Sequence, residues 1–338
     1  MNIAILGAGA MGSLFGGLLA ETGASVTLLA INQQHLDAIR RDGLRLETDD
    51  PATGPRIRRI TQLLACRPEA ATQIPDLLMI FTKTHQTHAA LTSARHLLGP
   101  KTWVLTLQNG LGNVEAISGF VPRDRILVGV TTLPADFLSP GVVSSHGGGQ
   151  IRMAAADPTA QVICDGCMLS TVVDLFTRAG LRCSADPNVW AAIWEKVAFN
   201  AAFNALCAVT GCTVEQIELV PSGPTTALAV VAEVIAVAHA AGIPADLGHT
   251  QAMVLDSFKK HAGHQPSMLQ DILAHRRTEI DSINGAVVRA AAKHNIPVPN
   301  AALLATLVSL IESRQQEACH PERSAEGAES KDLRFVLN

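Results

Sequence analysis

Tyrosine is absent from this 338-residue chain, and aromatic residues together make up only 4% of it. A core with so few large rings draws on aliphatic and small side chains, and the abundant alanine favours helices that pack closely. Charge is scarce too: charged residues are 17% against 48% hydrophobic, the formal net charge is −4, and the pI is near 6.3. That balance excludes a dedicated nucleic-acid surface and an anionic-membrane surface. The apolar content equally excludes an intrinsically disordered chain.

Cysteine pairing is also lacking. The seven cysteines are scattered and odd in number, as expected of reduced thiols in a cytoplasmic protein. Cys164 and Cys167 form one CxxC without a second pair, so ordinary packing is expected there and no metal site. The longest apolar run, Ala227 to Ala241, is interrupted by Glu233 and His239 and is too short to span a bilayer. It reads as a buried core helix, and no membrane partner is expected. Met1 to Leu6 lead straight into a glycine motif, so no leader segment is expected. Nothing repeats at a fixed period.

What is present is a rhythm. Asn2–Leu6, Ser25–Leu29, Leu77–Phe81, Trp103–Leu107 and Ile126–Val130 read as strands with helical stretches between them, the pattern of a doubly wound parallel sheet. Val142–Ser145 and Ile151–Ala154 read as edge strands, antiparallel to the rest or in a hairpin of their own, with Gly147–Gly149 as the turn. Beyond Pro187 only helices are expected: Trp190–Val209, Thr225–Ala241, Leu247–Lys260, Met268–His294 and Ala301–Arg314. Gly242, Pro244, Pro297 and Pro299 supply breaks between them. The division expected is therefore a nucleotide-binding α/β domain over 1–187, an all-helical domain over 188–315, and a disordered tail over 316–338.

Gly7-Ala8-Gly9-Ala10-Met11-Gly12 follows the first strand and opens a helix. Gly7 permits the tight turn, Gly9 lets the backbone approach a pyrophosphate, and Gly12 lets helix and strand pack closely. The helix start offers N–H groups and a positive dipole end to phosphates. The second strand ends in Leu29-Ala30-Ile31-Asn32-Gln33, with neither the acid that holds a ribose 2′-OH nor an arginine for a 2′-phosphate. Asn32, Gln33 and His35 are candidate donors to a phosphate, with Arg40 and Arg41 about two turns on. The missing carboxylate favours NADP, with NAD not excluded.

Lys196, Asn200 and Asn204 are spaced four apart, so they line one face of a helix whose other positions are mainly apolar. Burying a lysine and two amides costs several kcal/mol unless they find partners. They are either catalytic and binding groups, or a capped lysine with two core asparagines bonded to backbone. Ser267 and Asp271 are also four apart, and with Glu279 eight further on they are expected on one face of a second helix. Lys83 and Asn109 follow the third and fourth strands, at the sheet edge where such folds bind ligands.

Together these segments resemble the ketopantoate reductase (2-dehydropantoate 2-reductase) family from Met1 to about Arg314. They comprise the glycine motif, Lys83, Gln108-Asn109-Gly110, Glu195-Lys196, Ser267-Met-Leu-Gln-Asp271 and Arg277-Thr-Glu-Ile-Asp-Ser-Ile-Asn-Gly285. The resemblance implies a Rossmann domain, a helical second domain, a cleft between them, and NADPH reducing ketopantoate to pantoate for coenzyme A synthesis. It implies Lys196 as proton donor, with Asn109, Asn200, Asn204 and Ser267 as further substrate contacts. Asn109 would also touch the cofactor, as would Lys83 and Ala135, and Glu279 would contact the cofactor or order the cleft. A lysine whose pKa burial lowers can donate at neutral pH to the alkoxide forming at C2. Two features depart from the family: Ile31-Asn32 where a basic residue is common, and the stretch Thr131-Thr132-Leu133-Pro134.

Other readings remain open. One is a reductase or dehydrogenase of another small 2-keto or 2-hydroxy acid, using NADH; another is a non-catalytic NADPH-binding sensor. A sensor has no need of a proton donor, which weighs against it. The helical domain offers surface for a homodimer, though no feature demands one.

Overall fold

The computed structural model describes residues 1–50, 54–146, 148–157, 167–260, 263 and 265–319. The chain divides into two compact units, Met1–Lys196 and Val197–Asn338.

In the first unit, aliphatic runs buried on both faces become the centre of a mostly parallel sheet. These are β1 (Asn2–Leu6), β2 (Ser25–Leu29), β6 (Leu77–Ile80), β7 (Trp103–Thr106) and β8 (Ile126–Thr131). Three further strands complete it: β5 (Leu64–Cys66), β11 (Gln150–Ala155) and β12 (Arg182–Ala185), in the order β12-β11-β8-β7-β6-β1-β2-β5. All pairs are parallel except β11 with β8. Helix α1 (Ala10–Ala20) packs on β1 and β2, where Phe15 meets Phe81 at 4.9 Å and Phe176 of α5 (Met168–Arg178) at 5.5 Å. Helices α2 (Gln33–Asp42), α3 (Thr87–Ser93) and α4 (Asn113–Ser118) join successive strands.

A second sheet, ordered β4-β3-β10-β9, contains β3 (Leu44–Asp50), β4 (Gly54–Ile60), β9 (Asp136–Ser139) and β10 (Val142–His146). The hydrophobic pattern predicts neither β3 nor β4. Their strands carry Glu47, Asp49, Arg56, Arg58 and Arg59, and among their described side chains only Leu44, Leu46 and Ile60 are buried. Of the two arrangements expected for residues 142–145 and 151–154, the hairpin of their own does not form, whereas residues 151–154 do run antiparallel to the large sheet, on β8 and inside its edge. β10 pairs with β3 and β9, whereas β11 joins the large sheet. Gly147 and Cys164 lie outside the described residues. Cys167 caps α5, its sulfur accepting from Ser170 N–H.

The second unit is helical, and no described residue beyond Ala185 is in a strand. Helix α6 (Val189–Thr210) runs through the division between the units. It is followed by α7 (Ser222–Ala240), α8 (Leu247–Lys260), α9 (Ser267–Leu273), α10 (Asn284–His294) and α11 (Pro299–Cys319). Helix α7 has 19 residues, longer than its apolar run suggests, and by length and composition it could cross a bilayer. Its buried face includes Val230, Val231, Val234 and Ile235, and it packs on α8, α10 and α11. Glu233 on the same helix accepts from the N–H groups of Asn300 (3.0 Å) and Ala301 (2.8 Å) and from Asn300 Nδ2 (2.6 Å), capping α11. Helix α11 continues four residues into the segment expected to be a tail; residues 320–338 lie outside the described residues.

The single helix expected over Met268–His294 is broken. His275 takes φ +51°, Arg276 N–H donates to Asp271 O, and His275 N–H donates to Ile272 O. This pair of bonds closes α9 as a Schellman motif, with histidine in the left-handed position usually held by glycine. Arg276 Nε also donates to the buried carboxylate of Asp271 at 3.1 Å. Glu279 therefore does not share a helix face with Ser267 and Asp271. It lies in a separate turn, where its carbonyl accepts from Ser282 N–H, Ser282 Oγ and Ile283 N–H.

Candidate active site

The glycine loop has the geometry its residues predict. Gly7 adopts φ +99°, and a Cβ there would meet Thr82 N at 2.6 Å. A Cβ on Gly12 would collide with the carbonyl oxygen of Gly7. Gly9 differs: it is exposed and faces open space, with nothing within 4 Å of an added Cβ. The N–H groups of Gly7 and Ala8 donate to Leu29 O, tying the loop to the end of β2. Helix α1 then starts at Ala10 with no side-chain cap and no acidic residue in its first turn. An uncapped helix start beside open backbone fits a pyrophosphate, whose oxygens would accept from the first N–H groups.

At the end of β2, the expected donors are partly committed elsewhere. Asn32 caps α2, its Oδ1 accepting from His35 N–H at 3.1 Å, and Gln33 Nε2 donates to Asp37. His35 is fully buried and unavailable to a phosphate. Its Nδ1 accepts from Gly141 N–H at 2.9 Å, which leaves the proton on Nε2, 3.0 Å from Ser13 Oγ. Burial pushes its pKa down, consistent with this neutral ring. Arg40 donates to Ala65 O and lies 3.4 Å from Asp37, and Arg41 forks onto Asp42.

Along the same sheet edge, β6 and β7 end in two polar loops. Lys83 is half-buried three residues past β6. Gln108 braces the two loops: its Nε2 donates to Thr82 O (2.6 Å) and Thr87 Oγ1 (2.8 Å), and its Oε1 accepts from Thr106 Oγ1. The carbonyl of the adjacent Asn109 accepts from Thr84 Oγ1 and Asn113 Nδ2, while its half-buried amide has no partner among the described residues. The two neighbours thus divide into a strut and a presented amide. Ala135 is half-buried just beyond β8.

The largest surprise lies in the stretch after β8. Lys196 Nζ donates to the carbonyl oxygen of Thr131 at 2.6 Å, so α6 delivers its ammonium to the C-terminal end of β8. Thr131 Oγ1 in turn accepts from Leu133 N–H, and Thr132 Oγ1 from Gln150 N–H, which gives the Thr131–Pro134 stretch its local purpose. The partner is a backbone carbonyl, so no side-chain pattern announces it.

On α6, Asn200 and Asn204 follow Lys196 at successive four-residue steps. Both residues are buried, at 9% and 6% exposure, yet neither amide has a hydrogen-bond partner among the described residues. Neither amide is fully shut off from solvent. Buried amides without partners are costly unless something else meets them. The alternative of amides satisfied by backbone is not what the structure contains. Asn284 is the amide that does bond to backbone: fully buried, it donates through Nδ2 to Ala201 O, fixing α10 to α6 between the two asparagines. Sequence reasoning saw Asn284 only as part of a distinctive motif. In the second unit Glu279 is buried at 8% exposure, whereas Ser267 opens α9 exposed to solvent. No group of three or more potential metal ligands occurs among the described residues.

Comparison with known proteins agrees with this architecture. Residues 3–158 match the family described as ketopantoate reductase PanE/ApbA, and residues 188–312 match its C-terminal domain. The 2-dehydropantoate 2-reductase of Pyrococcus horikoshii is 36% identical over 313 residues, covering 93% of this chain and 98% of the relative. Among solved structures, the ternary complex of D-mandelate dehydrogenase with NADH and anilino(oxo)acetate superposes with a TM-score of 0.85 at 29% identity, covering 94% of this chain and all of that one. A 2-dehydropantoate 2-reductase from Geobacter metallireducens gives 0.83 at 30% identity, covering 92% and 99%.

Proposed function

The chain belongs to the ketopantoate reductase family of oxidoreductases, and from that membership we propose that it reduces 2-dehydropantoate to (R)-pantoate with NADPH. The observation that carries the reading is the Lys196 ammonium held on the Thr131 carbonyl at the ligand-binding edge of the sheet.

Gly7 to Gly12 and the uncapped start of α1 fit a dinucleotide, whose pyrophosphate they would hold; from the family resemblance we assign its remaining groups to Lys83, Asn109, Ala135 and Glu279. A bound nicotinamide supplies the hydride that reaches C2 of the keto acid. Lys196 Nζ offsets the charge that builds on the C2 oxygen and gives that oxygen its proton. Asn200 and Asn204, buried and without a hydrogen-bond partner among the described residues, present amides able to bind the substrate's carboxylate and hydroxyl without adding charge. Ser267 and Asn109 provide further uncharged contacts. All of these are neutral groups, so Lys196 remains the proton source.

A second reading is favoured by two observations: the close superposition on an NADH-bound dehydrogenase, and the lack of a basic residue directly after β2. In it, the same lysine serves another 2-keto acid with NADH. The deciding assay follows NADPH and NADH oxidation with ketopantoate, pyruvate and 2-ketoisovalerate. Fast turnover with ketopantoate and NADPH supports the first reading. Turnover only with another acid, or only with NADH, moves the assignment to the second. Tight cofactor binding without any turnover would leave a nucleotide-binding sensor.

A further inference from the structure

The end of β2 presents a problem of charge. Ile31 is 70% exposed and contributes none, Asn32 is engaged as a helix cap, and Gln33 is turned to Asp37. The arginines on α2 lie about two turns beyond Asn32, with Arg40 Nε donating to Ala65 O at 2.7 Å and Arg41 forked onto Asp42. Yet the stretch Leu29–Gln33 contains no carboxylate to select a free ribose hydroxyl either.

The neighbouring strand supplies what is missing. β5 runs parallel to β2 with Cys66 opposite Leu29, and Ala30 N–H donates to Cys66 O. Arg67 therefore emerges beside the residues that follow β2. Pro68 restricts its backbone to the extended region observed, φ −70° and ψ 150°. Its Nη1 donates to Ile31 O at 3.2 Å, which holds the guanidinium at the tip of β2. Among the described residues its ion-pair partner is Glu69, 3.8 Å away through Nε, with both side chains about half exposed. Such a surface pair is weak and readily exchanged for a stronger anion. A guanidinium carries five donors in a planar fork, so the bond to Ile31 leaves others for phosphate oxygens.

We propose that Arg67 reads the 2′-phosphate of NADPH, supplying from β5 the positive charge that the end of β2 lacks. The inference rests on the NADPH reading above and adds the residue that would set cofactor choice. Arg67 is a specificity residue in this scheme; it takes no part in hydride or proton transfer.

The test is binding, measured by isothermal titration calorimetry with NADPH and NADH on the full chain, without substrate. The wild type is expected to hold NADPH at least tenfold more tightly than NADH. Arg67→Ala is expected to weaken NADPH by roughly 10- to 100-fold, the range for a lost charge-assisted contact. Its NADH affinity should change less than twofold, which also shows that the variant folds. Arg67→Lys should recover part of the loss. Equal weakening toward both cofactors would point to stacking on the adenine or to misfolding and would overturn the proposal, as would unchanged NADPH affinity. A wild type indifferent to the 2′-phosphate would overturn it too, while keto-acid turnover with NADH would leave the reductase chemistry standing. Binding of neither cofactor would remove both.

Discussion

His35 and Ser13 meet in the interior of the first unit, ring Nε2 to hydroxyl at 3.0 Å, both side chains fully buried. Because Nδ1 accepts from Gly141 N–H, Nε2 donates to Ser13 Oγ, and the serine hydrogen points on to Ala8 O at 3.3 Å. One buried imidazole thus ties the turn between β9 and β10 to the glycine loop. Burial lowers its pKa below the ordinary 6.5, so the folded state binds this proton less readily than the unfolded chain. Its stabilising contribution is complete above pH 6.5 and is lost as pH falls from there through the folded-state value. Urea midpoints measured at pH 7.5 and 5.5 should show a drop for the wild type. The drop should be smaller in His35→Gln, which cannot take up the proton. An identical drop in both would remove His35 as its source.

Lys196→Met tests the proton donor. The substitution keeps an unbranched side chain one atom shorter but removes the ammonium that donates to Thr131 O. Turnover should fall by about 10²–10⁴-fold, the usual contribution of a positioned general acid. Cofactor affinity by titration should stay within about threefold. Single-turnover kinetics would show whether the loss lies in the chemical step; an unchanged rate there would reassign Lys196 to structure.

How much of this was legible follows from what each segment must bury. β1 is an aliphatic run buried from Ile3 to Leu6, β2 carries buried Val26, Leu28 and Leu29, and the pattern marks both strands to the residue. Helix α8 is similarly bounded as expected. The β3–β4 hairpin escaped because charged residues fill half of its fourteen positions and break up the apolar alternation, while β3 packs on α1. The break after α9 escaped because histidine, not glycine or proline, takes the left-handed residue, and only its capping bonds reveal it. At the site, the four-residue spacing placed Lys196, Asn200 and Asn204 on one helix face correctly. It wrongly extended the same logic to Glu279, and it offered His35 to a phosphate when the ring is enclosed. The anchor on Thr131 is a main-chain oxygen, which composition and spacing cannot signal.

Glu233 is the charged residue that interrupts the most apolar helix, and its use is structural. Its carboxylate accepts three hydrogen bonds at the start of α11. Glu233→Ala should cost about 2–3 kcal/mol, the sum expected for a lost cap with charge-assisted bonds. Glu233→Gln keeps one acceptor oxygen and should cost less. The loss should appear as a lower urea midpoint with an unchanged kcat at low temperature. A fall in kcat without loss of stability would show that Glu233 serves the reaction instead.

Gly9 and Gly12 stand three residues apart in one motif, yet their substitutions should fail in opposite ways. A methyl group on Gly12 collides with the carbonyl of Gly7, so Gly12→Ala must push α1 away from β1. It should lower stability by about 1–3 kcal/mol, the range for overpacking a tight contact. Gly9 has φ −82° and ψ −150°, a conformation open to alanine, and faces empty space. Gly9→Ala should therefore fold with a Tm close to that of the wild type. The added methyl would, however, occupy the space a pyrophosphate needs, and NADPH affinity should fall at least tenfold. Thermal unfolding with and without NADPH separates the two: Gly12→Ala lowers the Tm already without cofactor, whereas Gly9→Ala loses mainly the cofactor-induced rise. A normal rise in Gly9→Ala would mean that the dinucleotide does not pass over this loop.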